Sequence, residues 1–391
     1  MLPLAGITVV SLEQAVAAPF ATRQLADLGA RVIKIERPHD GDFARGYDAT
    51  VRGLSSHFVW LNRSKESLTL DLKHDDAKRI LRRLLEKADV FVQNLAPGAT
   101  DRLGFGTKEL RNAYPRLIVC DLSGYGSSGP YRDKKAYDLL IQAEAGLITI
   151  NGTEESPSKV GVSIADISCG MYAYSGILTA LLVRERTGEG VALETSLFDS
   201  LGEWMSYPAY YTMGGSAPLR SGARHATIAP YGPVEAGDHK IVYLGLQNER
   251  EWKKFCEVVL EAPEIAVDPR FDSNAHRVQN RPQLEEIMRS VFKPLTAEQV
   301  IARLESAQIA NARMNTVQEF VAHPQLKARK RWTEVDSPAG KLRALLPPVT
   351  MENVDVVMNA IPALGQHTDT ILGELGFDAR TIAAWRASGA I

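Results

Sequence analysis

The feature that most constrains the fold is the alternation of short apolar runs with segments of helical period over roughly the first 200 residues. Residues 7–12 and 31–36 have the composition of buried strands, and residues 18–29 between them have helical period and end at a glycine. Together they predict a β-α-β unit of about 30 residues. Further strands are predicted at residues 67–72, 90–92, 117–122 and 191–196. Strands that alternate with helices indicate an α/β fold with a mostly parallel sheet.

The character of the chain changes after residue 210. Residues 211–230 are rich in Gly, Ser and Pro, which is typical of a linker. A chain of 391 residues suggests two or three domains. We therefore expect a Rossmann-like large domain at 1–210, a smaller α+β domain at 231–325, and a return of residues 326–391 to the large domain. A helix is predicted before the linker at 197–207; beyond the linker, a strand is predicted at 241–244 and helices at 249–260, 283–291, 297–307, 368–375 and 379–388.

Composition argues against several classes of function. A net charge of -2 provides no basic field for nucleic acid. No apolar run looks long enough to span a bilayer, and residues 1–6 lack the features of a signal peptide, so we expect a cytoplasmic protein that binds no membrane. The eight histidines form no HxxxH or HExxH pattern, so we expect no metal. The cysteines are few and scattered, which fits a reducing compartment: Cys120, Cys169 and Cys256.

One acidic residue, Asp166, lies between an apolar run and a segment of helical period that ends at Gly188. An Asp at the start of a helix commonly caps the free N–H groups of the first turn. The functional alternative is a carboxylate nucleophile, kept ionised by the positive end of the helix dipole. Position alone favours capping and leaves the second interpretation open.

Residues 124–129 read GYGSSG, which matches the GxGxxG pattern of dinucleotide-binding proteins. That function requires the motif to open a helix in the first β-α-β unit. Here it follows the fifth predicted strand, and Pro130 and a charged segment come next. A tight glycine turn is therefore favoured, and a nicotinamide oxidoreductase remains a weaker alternative.

Several sequence segments, in a fixed order, carry a resemblance that covers the whole chain. They are LADLGARVIKIERPHDGD, LNRSKESLTLDLK, ADVFVQNLAPGATDRLGF, LSGYGSSGP, AYDLLIQAEAG, ADISCGMYAYSGILTALLVRERTGEG, DPRF, HPQL and LGQHTDTIL. Together they resemble the class III CoA-transferases, a family that includes formyl-CoA transferase and carnitine CoA-transferase. The resemblance implies a large α/β domain built from both chain ends, a small domain, and an interlocked homodimer in which each chain threads through the other.

The resemblance also implies that Asp166 is catalytic. In the implied mechanism it attacks a donor acyl-CoA to give a mixed anhydride, becomes an aspartyl-CoA thioester, and passes CoA to an acceptor carboxylate by the reverse steps. The acyl group stays activated throughout, so no ATP and no permanently bound cofactor are expected beyond the CoA thioester substrates. An Asp with a pKa near 4 is almost fully ionised at pH 7, so no general base is expected.

A CoA site follows from the same resemblance. CoA carries a 3'-phosphate and a pyrophosphate, which suit basic side chains. Val16 stands where formyl-CoA transferase has a Gln beside the nucleophile, Asp138 stands where it has a Glu, and a mobile Gly-rich loop is missing from 231–241. These departures disfavour a formyl or oxalate substrate. The matching CoA positions are Val16, Ala17, Arg37, Leu70, Asp71, Leu72, Lys73, Asn94, Leu95, Arg102, Lys135, Ala136, Tyr137 and Asp138.

The α-methylacyl-CoA racemases resemble the same family and use a His in a GHD-like motif. The matching position here is Tyr137, and a Tyr with a pKa near 10 is a poor proton shuttle at pH 7. A racemase-like isomerase is therefore the less favoured alternative to CoA transfer.

The acceptor is predicted from a basic pair, Arg224 and His225, at the expected domain junction. A similar H-x-x-I-x-P-Y segment occurs in relatives that act on dicarboxylic acids. We predict that Arg224, with His225 or Arg45, holds the distal carboxylate of a four- to six-carbon diacid such as citramalate, itaconate, mesaconate or glutarate, with succinyl-CoA as a typical donor. The alternative is that Arg224 pairs with a local acid.

Overall fold

A computed structural model describes residues 2–391 of the chain. Its strands are β1 (Thr8–Leu12), β2 (Arg31–Glu36), β3 (Lys65–Thr69), β4 (Val90–Gln93), β5 (Ile118–Ser123), β6 (Ala192–Ser196), β7 (Tyr231–Glu235), β8 (Ile241–Gly245), β9 (Ala310–Arg313), β10 (Trp332–Val335) and β11 (Leu342–Leu345). Its helices are α1 (Ala17–Asp27), α2 (Ser56–Leu61), α3 (Asp75–Leu85), α4 (Ala99–Leu103), α5 (Thr107–Ala113), α6 (Asp138–Glu144), α7 (Leu147–Ile150), α8 (Ile164–Thr187), α9 (Leu197–Trp204), α10 (Ser206–Met213), α11 (Glu249–Lys254), α12 (Asn274–Gln279), α13 (Arg281–Phe292), α14 (Ala297–Ser306), α15 (Val317–Val321), α16 (Pro324–Ala328), α17 (Thr368–Glu374) and α18 (Ala379–Ser388). Short 3-10 helices cover Phe43–Gly46 and Pro263–Val267, and a π-helix covers Phe255–Val259.

The main sheet has six parallel strands in the order β3-β2-β1-β4-β5-β6. Val9 of β1 is paired with Val32 of β2 on one side and with Val90 of β4 on the other. The predicted parallel α/β fold is therefore confirmed. The strand order reverses between β1 and β4, and in open parallel sheets the crevice outside the strand ends at such a point is the usual ligand site.

Some element boundaries differ from the prediction. Strand β3 covers Lys65–Thr69 rather than 67–72, because its pairing with β2 ends where Glu36 meets Thr69. The single helix predicted at 197–207 is two helices, α9 and α10. Pro208 lies in the first turn of α10, where its missing N–H costs no helix hydrogen bond, whereas inside one continuous helix it would break the ladder.

The chain forms two compact units. The first contains the residues up to Gly146 together with Val160–Tyr207 and Lys327–Ile391. Its core joins Val10, Ile33 and Phe91 of the sheet to Ile371 and Trp385 of the two C-terminal helices. Both ends of the described chain therefore contribute to one core.

The second unit contains Leu147–Lys159 and Pro208–Leu326. An antiparallel sheet in the order β7-β8-β9 packs in it against α11, the π-helix, α13 and α14. Its largest buried side chains include Trp252, Phe255, Phe271 and Phe292.

Helix α8 has 24 residues and is long and apolar enough to cross a membrane by length and composition alone. This corrects the expectation that no apolar run reaches that length. One side of α8 is part of the core of the first unit, where Ala173, Ile177 and Ala180 are buried. Near the C-terminal end of α8, Arg184 forms an ion pair of 2.9 Å with Asp89, the residue before β4. This ion pair anchors the helix to the amino end of that central strand.

Candidate active site

A cavity of about 660 Å³ in the first unit opens at the carboxyl ends of β1, β4, β5 and β6. This is the edge of the sheet where the strand order reverses, so the position agrees with the rule for parallel sheets. Its lining residues are Gln14, Ala15, Val16, Ala17, Phe43, Tyr47, His57, Asn94, Leu95, Ala96, Pro97, Leu122, Ser123, Gly124, Lys134, Lys135, Ala136, Tyr137, Asp138, Leu139, Ser163, Asp166 and Leu197.

A smaller cavity of about 190 Å³ lies beside the first and shares Gln14 and Leu95 with it. It is lined by the segments that follow β1, β2 and β3. Nine predicted site residues line the larger cavity: Val16, Ala17, Asn94, Leu95, Lys135, Ala136, Tyr137, Asp138 and Asp166. The smaller cavity is lined by five further predicted CoA positions: Arg37, Leu70, Asp71, Leu72 and Lys73.

Arg102 is the one predicted CoA position outside both linings. It is exposed on α4, and its Nη1 donates to the carbonyl of Pro97 at 3.3 Å. Pro97 itself lines the larger cavity, so the Arg102 guanidinium is hydrogen-bonded to a residue of the cavity wall.

The loops after β1 and β4 are joined by one side chain. Asn94 Oδ1 accepts the backbone N–H of Gln14 at 2.8 Å, and Asn94 Nδ2 donates to the Gln14 carbonyl at 2.8 Å. Gln14 Oε1 is buried and has no hydrogen-bond partner among residues 2–391. The sequence analysis did not select Gln14, although a polar residue directly after a buried strand of a parallel sheet was the available signal.

Asp166 lies in the first turn of α8 and not in front of it, because the helix begins at Ile164. The capping role is carried by Asp138 of α6. Its Oδ1 accepts the backbone N–H of Ala165 at 2.8 Å and that of Asp166 at 3.4 Å. Asp138 Oδ2 is held by Gln142 Nε2 at 2.8 Å. The donors at the start of α8 are thereby satisfied from outside the helix, and the Asp166 side chain is not needed as a cap.

The electrostatics of Asp166 differ from the expectation. Burial, and then the negative charge of Asp138, raise the pKa of the Asp166 carboxyl to about 7. The helix dipole favours the ionised form, but desolvation and a like charge nearby outweigh it. The expectation of an almost fully ionised Asp at pH 7 is therefore corrected: near neutral pH both forms of the Asp166 side chain are populated.

The loop that carries Val16 and Ala17 is fixed by a buried ion pair. Ala15 has a positive φ of 61°, and its N–H donates to Asp42 Oδ1 at 3.1 Å. Asp42 Oδ2 accepts from Lys34 Nζ at 2.7 Å, and both side chains are buried. The strained residue is thus held by a charge-assisted hydrogen bond.

Ala17 begins α1 and lines the same cavity as Asp166. A Cβ on Gly170 of α8 would lie 2.6 Å from the Ala17 carbonyl oxygen, so only glycine permits this approach of the two helices. Gly170 and Asp166 are one turn apart on α8 and share a face. In the first turn of α1, Pro19 has no N–H and the Phe20 N–H donates to the Val16 carbonyl at 2.7 Å, so the N–H groups of Ala17 and Ala18 are those without an acceptor in their own helix. These groups can serve as donors where Val16 replaces a Gln.

The GYGSSG segment makes a turn at the end of β5. Gly126 has a φ of 89°, and its N–H donates to Ser123 Oγ at 2.9 Å. A Cβ on Gly124 would overlap the Cβ of Ala136. The first glycine thus lets the end of β5 approach the cavity segment that contains Ala136 and Tyr137.

The three predicted carboxylate-binding residues lie in different surroundings. Arg45 Nε and Nη2 both donate to Glu36 at 2.8 Å, and the guanidinium lies 3.7 Å from the centre of the Phe58 ring. Arg224 belongs to the second unit and makes two hydrogen bonds to Glu285, of 2.6 and 3.0 Å. His225 stacks on Tyr231 with ring centres 5.1 Å apart. Their role in carboxylate binding stays a prediction.

Residues 2–391 contain no group of three or more His, Cys, Asp and Glu side chains arranged to hold a metal ion. Cys169, three residues after Asp166, is buried, and burial raises the pKa of its thiol to about 12. A buried thiol of this kind is a core side chain and a poor nucleophile.

Comparison with known proteins gives a consistent result. The family model described as CoA-transferase family III matches residues 4–368. The succinyl-CoA:glutarate CoA-transferase of Homo sapiens is 31% identical over 395 residues, covering 100% of this chain and 90% of its own. The acetyl-CoA:oxalate CoA-transferase of Acetobacter aceti is 36% identical over 330 residues, with 84% of each chain covered. The crystal structure of a CAIB/BAIF family protein from Brucella suis superposes with a TM-score of 0.84 at 33% identity, covering 95% of this chain and 99% of that one.

Proposed function

The chain belongs to CoA-transferase family III, and from this premise we propose that it transfers CoA from a donor such as succinyl-CoA to a four- to six-carbon dicarboxylic acid through Asp166. The observation that carries the proposal is that Asp166 lines the same cavity as most of the matched CoA positions. Both relatives are named for a dicarboxylic acid, glutarate in one and oxalate in the other, which supports a dicarboxylate here, and the oxalate relative counts against the expectation that oxalate is disfavoured.

CoA is proposed to extend across both cavities. Arg37 and Lys73 are exposed at the smaller cavity, where they suit the phosphates of the nucleotide. The pantetheine would pass Gln14 and Leu95, which are common to both cavities, and bring the thioester to Asp166. Lys135 and Arg102 are the further cations of this path.

The proposed chemistry exchanges one acyl bond at a time. An Asp166 oxygen attacks the thioester carbonyl, and the C–S bond breaks to release CoA thiolate and leave a mixed anhydride. The thiolate attacks the Asp166 carbonyl, which releases the donor acid as its carboxylate and forms the aspartyl-CoA thioester. The acceptor carboxylate then attacks that thioester, and the thiolate returns to the acceptor carbonyl. Electron pairs leave on sulfur or on carboxylate oxygen, so no proton or oxidant is consumed.

The raised pKa of Asp166 fits a nucleophile. The ionised form must attack, and a carboxylate whose conjugate acid is weaker is the better nucleophile once ionised. Each tetrahedral intermediate carries an oxyanion, for which the free N–H groups at the start of α1 are the proposed donors; loss of one such donor typically costs about 3 kcal/mol.

A further part of the proposal is the assembly. We expect an interlocked homodimer in which both chain ends build the large domain, acting in the cytosol. Large apolar side chains are exposed on the single chain, among them Leu182 of α8 at 62% and, in the second unit, Met213 of α10 at 79%. Patches of this kind commonly mark an interface. All three cysteines are free and buried, which suits a reducing compartment. Light scattering should give the mass of two chains, and a monomer at micromolar concentration would contradict the assembly.

Trapping the intermediate tests the proposed function. The protein is incubated with succinyl-CoA, quenched with hydroxylamine and mapped by peptide mass spectrometry. An Asp166 hydroxamate is expected in the wild type and in Cys169→Ala, and none in Asp166→Ala. Absence of the adduct from the wild type with several acyl-CoA donors, or its loss in Cys169→Ala, would refute the assigned nucleophile.

A further inference from the structure

One wall of the larger cavity is formed by Phe43, Tyr47 and His57, which the predicted CoA site does not use. We infer that His57 binds the distal carboxylate of the acyl group, first that of the donor and then that of the acceptor. This inference rests on the proposed CoA transfer at Asp166 and names the residue that makes it selective for diacids.

The wall forms a continuous aromatic row. The ring centres of Phe43 and Tyr47 are 5.8 Å apart, and those of Tyr47 and His57 are 5.4 Å apart with the rings nearly perpendicular. Tyr47 is close enough to the nucleophile that the charge of Asp166, after burial and the charge of Asp42, helps to raise the pKa of Tyr47 to about 12. Asp166, Tyr47 and His57 line the same cavity, so an acyl chain that leads away from Asp166 along Tyr47 would extend toward His57.

Three of the described residues that line this cavity can carry a positive charge: His57, Lys134 and Lys135. Lys134 is already paired with Glu144, and its ammonium lies 4.3 Å from the centre of the Tyr131 ring. Lys135 matches a CoA position. His57 is thus the cation-capable group that remains for a second carboxylate.

The surroundings of His57 leave one ring nitrogen for a ligand. Its Nδ1 is buried, makes no hydrogen bond within the described chain, and lies 3.9 Å from Asp48 Oδ2. Asp48 is itself fixed, since it accepts hydrogen bonds from the backbone and hydroxyl of both Thr50 and Ser56. Asp48, which faces Nδ1, orients the ring, and as the imidazolium His57 would direct Nδ1–H toward Asp48 and donate Nε2–H to a bound carboxylate.

Arg45 lies in the short 3-10 helix Phe43–Gly46, between the two aromatic residues of the wall, but it is the weaker candidate for binding the distal carboxylate. Phe43 and Tyr47 line the cavity, whereas both ends of the Arg45 fork are engaged by Glu36. A carboxylate ligand would have to displace an ion pair whose acid is buried. Among residues 2–391, His57 Nδ1 makes no hydrogen bond, and its contact with Asp48 is longer, at 3.9 Å.

Donor and acceptor use one subsite because the two halves of the reaction are the reverse of each other. The donor acid is released from the anhydride on Asp166, and the acceptor acid must then bind in the same position to attack the aspartyl-CoA thioester. A change at His57 is therefore expected to act on succinyl-CoA as well as on the free diacid.

The test compares two ligands that differ at the terminal group alone. Succinyl-CoA ends in a carboxylate and butyryl-CoA, of the same chain length, ends in a methyl group. Dissociation constants are measured by calorimetry on Asp166→Asn protein, which cannot form the anhydride. Adding His57→Asn should weaken succinyl-CoA about tenfold, as expected for loss of one charge-assisted hydrogen bond, and change butyryl-CoA by less than about twofold.

Two further variants complete the design. His57→Lys, which keeps a cation, should recover part of the preference for succinyl-CoA. His239→Asn is the control, because His239 is an exposed residue of the second unit paired with Glu235. Equal weakening of both ligands by His57→Asn, or none, would overturn the inference. Failure of wild-type protein to form the Asp166 adduct would instead overturn the proposed function.

Discussion

Asp138 acts on Asp166 in two opposite ways. Its carboxylate accepts the backbone N–H of Asp166 at 3.4 Å and of Ala165 at 2.8 Å, which stabilises the start of α8. The same negative charge, added to burial, makes the Asp166 side chain a weaker acid, with a pKa of about 7. One residue thus positions Asp166, the proposed nucleophile, and raises the pH at which its carboxyl ionises.

Removing that charge should shift the pH dependence of adduct formation. In the wild type the rate should rise with pH and reach half its maximum near pH 7, because the ionised Asp166 attacks. Asp138→Asn keeps an oxygen for capping but loses the charge, so the midpoint should fall by about one pH unit. The measurement is the initial rate of hydroxamate formation from pH 5 to 9. Asp133→Asn, at an exposed residue paired with Arg132, serves as the control, and an unshifted Asp138→Asn midpoint would contradict the assignment.

Asp166→Asn should abolish the adduct and stabilise the protein. Because the pKa of folded Asp166 lies above its ordinary value of 3.8, the unfolded chain holds fewer protons between the two values. Stability therefore falls as pH rises from about 4 to about 7, and the full cost, up to about 4 kcal/mol, is present above pH 7. The variant should show a higher Tm than wild type at pH 8 and a much smaller gain near pH 4. Asp75→Asn, with a side chain 97% exposed, should show no such trend.

The close contact of α1 and α8 can be tested by comparing alanine substitutions at two helix glycines, one at the contact and one away from it. Gly170→Ala places a Cβ 2.6 Å from the Ala17 carbonyl, so the helices must separate, at a cost of about 1 to 3 kcal/mol. Gly202→Ala in α9 meets no atom within 4 Å and should be neutral or stabilising by up to about 1 kcal/mol. Denaturant unfolding of both variants at one pH measures the difference. Equal stability of the two variants would show that α1 can shift away from α8 at no cost, which would contradict a close contact that requires glycine.

The contact between Gly124 and Ala136 can be tested by compensation. Gly124→Ala creates an overlap with the Ala136 side chain and should displace the segment that carries Tyr137 and Asp138, with weaker acyl-CoA binding. Ala136→Gly removes the overlapping atom, so the double variant should regain most of the affinity. Calorimetric titration of the three variants measures the coupling. If the losses of the single variants simply add, the two positions do not interact as described.

The buried pair under the Ala15 loop should be costly to break. Asp42→Ala leaves Lys34 buried and uncompensated on that side and removes the acceptor of the Ala15 N–H, so a loss of about 3 to 5 kcal/mol is expected. Asp40→Ala, two residues away and exposed, should change stability by less than about 0.5 kcal/mol. Urea unfolding followed by fluorescence measures both. A cost for Asp42→Ala no larger than that of the control would exclude a structural role for the pair.

Much of the fold follows from local sequence. Apolar runs such as 31–36 and the helix at 379–388 agree with the structure to the residue, because side-chain period and helix stop signals act within one element. Boundaries failed where a neighbour set them, as at β3, whose pairing with β2 decides where it begins and ends. The matched CoA positions also gathered at one edge of the sheet, since half of them follow directly after β2, β3 or β4.

The sequence by itself determined that Asp166 stands at the start of a long helix and that polar residues follow the strands. Only the tertiary structure decided that Asp138, 28 residues earlier in the chain, caps that helix and lies beside Asp166. It also decided that Arg45 is engaged by Glu36 while His57 lines the cavity. The physical reason is that the pKa of a side chain and the availability of its hydrogen-bonding atoms depend on burial and on charges that folding brings near. Residue spacing within a single helix or strand encodes neither property.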